Sequence, residues 1–246
     1  MMVQHSMLLL YKTFNMKIYI TLCLVILSIM NSGAQVVPQG FLVGPKRVPT
    51  INIGEQTWML YNLDVVVYNN GDSIPNITTN SAWSTTSGGA YSDYNNTIQP
   101  FGYGKLYNWY AVNDSRGVCP IGFHVPTDAE WLKLANSMGG DARIGTSKSS
   151  EELRSVGAWA NPINPVFTAT NTLGFSALPA GLRSVEAVVD PVLGKFIALG
   201  TVTHFWTSTI YTSTTAIRYN IYYNSSETAR QNDDRHNGAS IRCIKN

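Results

Sequence analysis

The sequence predicts an α+β domain, with two capped helices near the middle of the chain followed by a run of antiparallel strands. The first observation is Thr127 followed three residues later by Glu130, a capping-box spacing that Ser149 and Glu152 repeat. The second is AIRYNIYY (216–223). There Ile217, Tyr219, Ile221 and Tyr223 alternate with Arg218, Asn220 and Tyr222, the period of a half-buried strand. No internal repeat is visible along the 246 residues.

The chain opens with a segment that reads as a secretory signal. From Met16 a single Lys17 precedes an apolar run, Ile18 to Met30, and then the small residues Ser32, Gly33 and Ala34. That run is short for a bilayer span and ends in an A-x-A-like cleavage site, so cleavage is expected after Ala34. Residues 1–15 then read as an upstream extension with Met16 the true start, and an uncleaved anchor is the alternative. Residues 35–50, with Pro38, Pro45 and Pro49, read as an extended leader, and the domain is expected over 51–246.

QTWMLYNLDVVVY (56–68) is β-branched and aromatic, hence strand-like. Residues 69–97, rich in Gly, Ser, Thr and Asn, read as a long irregular excursion with exposed Trp83, Tyr91 and Tyr94. GKLYNWYAVN (104–113) reads as a second strand or a short turn of helix.

Pro126 then stops any helix entering from the left, Thr127 caps the next one, and Asp128 suits its dipole. Trp131, Leu134, Ala135 and Met138 make one buried stripe, with Gly139 and Gly140 ending the helix. Both acids have structural work, and His124 stands ahead of the cap in an extended arm. A second short helix is expected at SSEELRSVG, closed by Gly157. After Ala158 come strands and loops: GFSALPAGLRS, GKFIALGTVTHFWTSTIY and AIRYNIYY. SSETARQNDDRHNG reads as a polar hairpin or loop, and ASIRCIKN as a last strand.

Residues 1–34 hold two of the seventeen basic residues, Lys12 and Lys17, and no acid, so fifteen basic residues face fifteen acidic ones in the mature chain. A formally neutral chain has no field of one sign to steer it to nucleic acid or an anionic membrane. Once Cys23 leaves with the signal, Cys119 and Cys243 remain in an oxidising compartment. A bridge between them would contribute about 4 kcal/mol by loop closure. Two buried free thiols are the alternative. A metal pair or a catalytic cysteine is disfavoured, because neither residue has a CxxC partner.

GEQTWMLYNLD, YGKLYNWYAVNDSRGVCPIGFHVPTDAEWLKL, GFSALPAGLRS, FWTST and GASIRCIKN, in that order from about Ile53 to Lys245, resemble the Fibrobacter succinogenes major paralogous domain, a family of exported bacterial proteins. The resemblance implies a C-type lectin-like fold, with two helices beside a twisted antiparallel sheet, long loops and chain ends brought together. It also implies a Cys119–Cys243 bridge. HVPTDAEW further resembles a signature of the sulfatase-modifying (formylglycine-generating) enzymes, built on a related fold. Those enzymes use a reactive cysteine pair late in the chain, where this sequence has Cys243 alone, so the fold relationship carries over and the activity does not.

Calcium-dependent lectins of that fold use an EPN or QPD tripeptide and a WND triplet, and neither is present. Asn232, Asp233 and Asp234 would fill only part of a calcium shell, and a solvated turn is the better reading of QNDDRHNG. His124, His204 and His236 show no metal-ligand spacing. No catalytic set and no cofactor are expected. Trp58, Trp109, Trp131 and Trp206 read as core. Trp83, Tyr91 and Tyr94, with Arg183, Asp190 and Arg230 in expected loops of the later half, are the ligand-binding candidates. These readings point to an exported, non-enzymatic recognition module binding a glycan or a cell-envelope protein, in the periplasm, at the cell surface or outside the cell. The alternatives are a structural or tip-like subunit of a surface assembly and a sulfatase-modifying-type oxidase with altered chemistry.

Overall fold

The computed structural model describes residues 48–144, 146–160, 167–186 and 194–246. The expected signal peptide, the leader up to residue 47 and Asp190 lie outside them. The described chain is a mixed α+β structure. It begins with strands β1 (Thr50–Ile53) and β2 (Gln56–Met59), a hairpin turning at Gly54 and Glu55. Helix α1 (Asn80–Thr85), β3 (Tyr91–Ser92), β4 (Leu106–Tyr107) and α2 (Trp109–Val112) follow. Next come β5 (Phe123–His124), α3 (Asp128–Ala135), α4 (Ser150–Leu153), β6 (Leu182–Ser184) and β7 (Lys195–Ile197). The chain closes with β8 (Val202–Ile210), β9 (Thr215–Tyr222), β10 (Thr228–Asp234) and β11 (Ile244–Lys245).

A four-stranded sheet in the order β1-β2-β11-β5 joins the two ends of the domain, because Ile244 pairs with both Trp58 and His124. Cys119 and Cys243 form a disulfide with Cα atoms 6.0 Å apart, beside the Cys243 carbonyl that accepts from the Met59 N–H. A second sheet, β10-β9-β8, is antiparallel throughout. Among the described residues no helix is long and apolar enough to cross a membrane.

The capping box forms as its spacing requires: Thr127 Oγ1 accepts from the Glu130 N–H, and the Glu130 carboxylate accepts from the Thr127 N–H. Trp131, Leu134 and Ala135 are buried, but the helix ends at Ala135 and Met138 is exposed, short of the expected stripe. Trp131 stacks on Tyr219 at 5.3 Å and meets Trp58 edge-on at 5.1 Å, so this helix keys the two sheets together. Each such ring pair contributes about 1 kcal/mol beyond its buried area. The second expected capping box does not form. Ser149 makes no cap bond; its hydroxyl instead donates to the Ala135 carbonyl and pairs with Thr228 Oγ1. A buried hydroxyl takes the partners its surroundings supply, which here are tertiary ones.

Three more expectations are corrected. Only Gln56–Met59 of the 56–68 run pairs as a strand. SSETARQNDDRHNG holds β10 rather than a solvated turn. β9 is buried on both faces from Ala216 to Ile221 rather than on one. Its Ile217, Tyr219 and Ile221 face the Trp131 side, while Arg218 and Asn220 are covered by a polar network. Arg218 pairs with Asp233, Asn220 bonds His204 at 2.7 Å and Gln231 at 2.7 Å, and Asn237 bonds Asp233 at 2.6 Å. Burial, and then the Arg218 charge, push His204 well below the usual imidazole range, so it stays neutral.

A loop-rich chain leaves many carbonyls without a ladder partner, and buried arginines supply the donors. Arg242 reaches the Phe175 carbonyl and Asn62 Oδ1 while stacking on Phe175 at 4.2 Å. Arg154 reaches the carbonyls of Tyr222, Tyr223 and Phe167. Gly104, at φ 66°, passes so close to the 62–63 backbone that a Cβ would lie 2.4 Å from the Leu63 carbonyl oxygen.

Candidate functional site

The residues expected to bind ligand are mostly spent on the scaffold. Trp83 is fully buried on α1, and Tyr94 is 7 % exposed, so two of the three aromatics expected on the surface lie inside. Tyr91, half-buried, pairs opposite Tyr107 and lies under Lys105 Nζ at 5.1 Å. Arg183 stands on β6 rather than in a loop and is fully buried. Its guanidinium lies 4.3 Å from the Trp83 ring and 4.7 Å from Phe196, and Phe196 packs 5.3 Å from Tyr94. Trp83, Arg183, Phe196 and Tyr94 thus form one continuous stack that pins the 69–97 excursion to the β6–β7 hairpin. An apolar ring in a polar segment folds inward when a buried cation offers its face a partner.

Arg230 is on β10, where its guanidinium forms a two-point ion pair with Asp128, both bonds 2.8 Å, and Tyr219 Oη donates to the same carboxylate at 2.9 Å. The bond to Asp128 is the first cause of a raised Arg230 pKa. Arg230 therefore anchors the start of α3 instead of standing free in a loop.

His124 sits on β5 with Nε2 2.9 Å from Glu130 Oε1 and Nδ1 2.8 Å from Asn246 Oδ1. Burial pushes the Glu130 carboxyl up, but the bonds from the Thr127 N–H, the Thr127 hydroxyl and His124 outweigh it and hold the group below the usual carboxylate range. This trio clamps the end of β11 to the start of α3. Beside it a cleft of about 430 Å³ opens, lined by Glu55, Thr57, Glu130, Lys133, Lys245 and Asn246, with a Lys133–Glu55 ion pair on its wall.

Asn232, Asp233 and Asp234 do not converge. Asn232 is exposed, Asp233 is buried against Arg218, and Asp234 pairs with His236 at 2.7 Å. Strand alternation sends them to opposite faces. Among the described residues no group of three or more His, Cys, Asp or Glu side chains is placed to hold a metal. Trp58, Trp109, Trp131 and Trp206 are core, as expected, and Pro126 accepts from the Ser208 N–H just ahead of the cap.

The surface feature that sequence reasoning missed is an apolar ledge on the loop after residue 97. Ile98 is 85 % and Phe101 83 % exposed, and Phe101 meets the half-buried Tyr61 edge-on at 4.6 Å. Gly102 lies between Tyr61 and Leu178, each of which a Cβ there would meet at 3.1 Å. The signal was present in IQPFGYG, where Pro100 and Gly102 bracket an aromatic and deny it a strand or helix in which to turn inward.

The sequence profile of the Fibrobacter succinogenes major domain matches residues 51–245. No curated protein matches the chain, and no solved structure does. With nearly the whole described region inside that match, the chain belongs to the Fibrobacter succinogenes major domain family.

Proposed function

We propose that this protein is an exported, non-catalytic recognition module on a C-type lectin-like scaffold, whose loops bind a glycan or a protein of the cell envelope. The observation that carries this reading is the ledge: two large apolar side chains more than four-fifths exposed, Ile98 and Phe101, on a frame tied by a disulfide. Large apolar side chains left exposed three residues apart on one loop offer a contact surface, and aromatic anchors dominate such surfaces. They favour a protein partner with an apolar pocket. The joining of the two ends of the described domain and the loop-rich sheets support the lectin-like scaffold. The disulfide is consistent with export and leaves neither Cys119 nor Cys243 free for sulfatase-modifying chemistry.

The test is capture. The purified protein is offered to a glycan array and, separately, to a detergent-solubilised envelope fraction, with an Ile98→Ser/Phe101→Ser double variant in parallel. Retention of a specific envelope protein that the double variant loses supports the reading. Silence in both arms, or equal capture by the double variant, overturns the assignment of the ledge. A tip-like subunit would instead co-purify in a fixed ratio with its neighbour.

A further inference from the structure

At the turn end of the three-stranded sheet, the end of β10, the β8–β9 turn and the first turn of α2 converge. Arg235 holds them together: its carbonyl accepts from the Trp109 N–H at 2.9 Å, its N–H donates to Thr214 O at 3.1 Å, and its Nη2 donates to Thr212 O at 2.6 Å. Its guanidinium lies 4.6 Å from the Trp109 ring. On this base stands a chain of three side chains. Asp234 Oδ1 is 2.7 Å from His236 Nδ1, and His236 Nε2 is 3.3 Å from Tyr110 Oη. The Tyr110 and His236 rings meet edge-on at 5.1 Å.

An imidazole that donates its Nδ1–H to the carboxylate turns Nε2 toward the tyrosine hydroxyl as an acceptor. Tyr110 Oη is then left with lone pairs to accept, and the His236 backbone N–H, at 2.8 Å, also donates to Asp234 Oδ1. Among the described residues no hydrogen bond reaches Asp234 Oδ2, and the side chain is 41 % exposed. His236 is 28 % exposed and Tyr110 half-buried, while Tyr211, on the adjoining turn, is 57 % exposed.

We propose that Tyr110, His236 and Asp234 form a binding site for a neutral saccharide. Sugars present a hydroxylated rim and apolar C–H faces, and they are bound by rings flanked by a few fixed donors and acceptors. The carboxylate disfavours an acidic sugar and accepts from hydroxyls. The imidazole holds that carboxylate and the phenol in one geometry before a ligand arrives, which lowers the ordering cost of binding. The site rests on the recognition reading but uses residues other than the ledge.

The experiment is titration of the purified full-length protein with cellotetraose, xylotetraose, mannotetraose and maltotetraose, and with tetragalacturonate as the acidic comparator. Affinity is read by calorimetry and the His236 imidazole by NMR. At least one neutral tetrasaccharide is expected to shift the His236 ring signals saturably below about 10 mM. Asp234→Asn and His236→Ala are expected to weaken binding about tenfold, and Tyr110→Phe, which keeps the ring, about threefold. If His236→Ala loses its near-ultraviolet circular dichroism, Tyr110→Phe and the parent's own imidazole shifts decide the matter. The proposal is overturned if no neutral saccharide moves the His236 signals, if Asp234→Asn binds like the parent, or if tetragalacturonate binds as tightly. Any of these leaves the ledge reading standing when Ile98→Ser/Phe101→Ser still loses its envelope partner.

Discussion

The guanidinium of Arg183 lies 4.3 Å from the centre of the fully buried Trp83 ring, and among the described residues its hydrogen bonds all go to neutral oxygens, of Gly194, Ile77, Thr78 and Asn80. A cation buried this way holds its place through geometry, since five fixed donors meet carbonyls that strand pairing leaves over. Arg183→Met removes those donors and strands the Ile77 and Thr78 carbonyls, which is expected to destabilise the protein by about 3 kcal/mol. Arg183→Lys recovers less than half, because an ammonium reproduces neither the stack nor the fork. Urea denaturation checks both, and a loss of less than about 0.5 kcal/mol for Arg183→Met would show that the stack is incidental.

That stack also shows where the sequence was legible. The Thr127–Glu130 box and the Trp131 stripe are local patterns and appear where their spacing places them, apart from the early end of α3, whereas β9 forms where its alternation predicts a strand but is buried on both faces. Trp83 packs under Arg183 and Tyr94 against Phe196, each about a hundred residues away, and no periodicity near residue 83 encodes partners at that distance. Arg230 and Asp233 were misplaced for the same reason. A polar strand reads as a loop until its partners, Asp128 and Arg218, are known. At the candidate site the individual residues Asp234 and His236 were visible, but their meeting with Tyr110 follows from tertiary pairing alone.

The disulfide joins residues 124 positions apart, so its reduction frees a loop that makes up well over half of the domain. Loop-closure entropy gives about 4 to 5 kcal/mol, and the reduced protein is expected to unfold at correspondingly lower denaturant. In unreduced, denatured full-length protein, thiol titration is expected to find Cys23 alone. Three reactive thiols would refute the bridge.

Burial raises several tyrosines, among them Tyr68 to about 12, with the Asp114 charge adding to the effect, and Tyr107 and Tyr219 well above the usual phenol range. A phenol whose folded pKa exceeds its unfolded value contributes stability that is full below pH about 10 and is lost as pH rises through the folded pKa. Ultraviolet titration is expected to show a subset of phenols ionising only as the protein unfolds. Ionisation of every tyrosine near pH 10 with the fold intact would contradict their burial.

At Gly104 the φ of 66° and the Leu63 carbonyl act together. Gly104→Ala adds a Cβ 2.4 Å from that oxygen and a left-handed conformation an alanine resists, so the 62–63 backbone must move. That backbone carries Asn62, which holds Arg242 at 2.6 Å. The expected loss is about 2 to 3 kcal/mol, measured by thermal unfolding, whereas Gly88→Ala, with open space around it, is expected to cost less than about 0.5 kcal/mol. Equal stability of the two variants would show that the loop relaxes freely.

Glu130 gives the fold its acid sensitivity at the junction of β5, α3 and the chain end. Its pKa is lowered in the folded protein because the Thr127 and His124 bonds outweigh burial. A depressed carboxyl contributes stability present above its unfolded value of about 4.5 and lost as pH falls through the folded one. Acidification through the lowered folded pKa should therefore protonate Glu130, open the capping box and release His124 from its carboxylate partner. Glu130→Gln keeps the shape and the neutral bonds but removes the titration. Its stability is expected to lie below the parent's at pH 7 and to converge on it as pH falls. Amide exchange at Thr127 and Glu130, followed from pH 7 to pH 3, tests the site directly: protection should fall with pH in the parent and change far less in Glu130→Gln. Parallel profiles for the two proteins would mean that another group governs the acid response, and that the bond between His124 and Glu130 is a passenger of the helix cap rather than part of its lock.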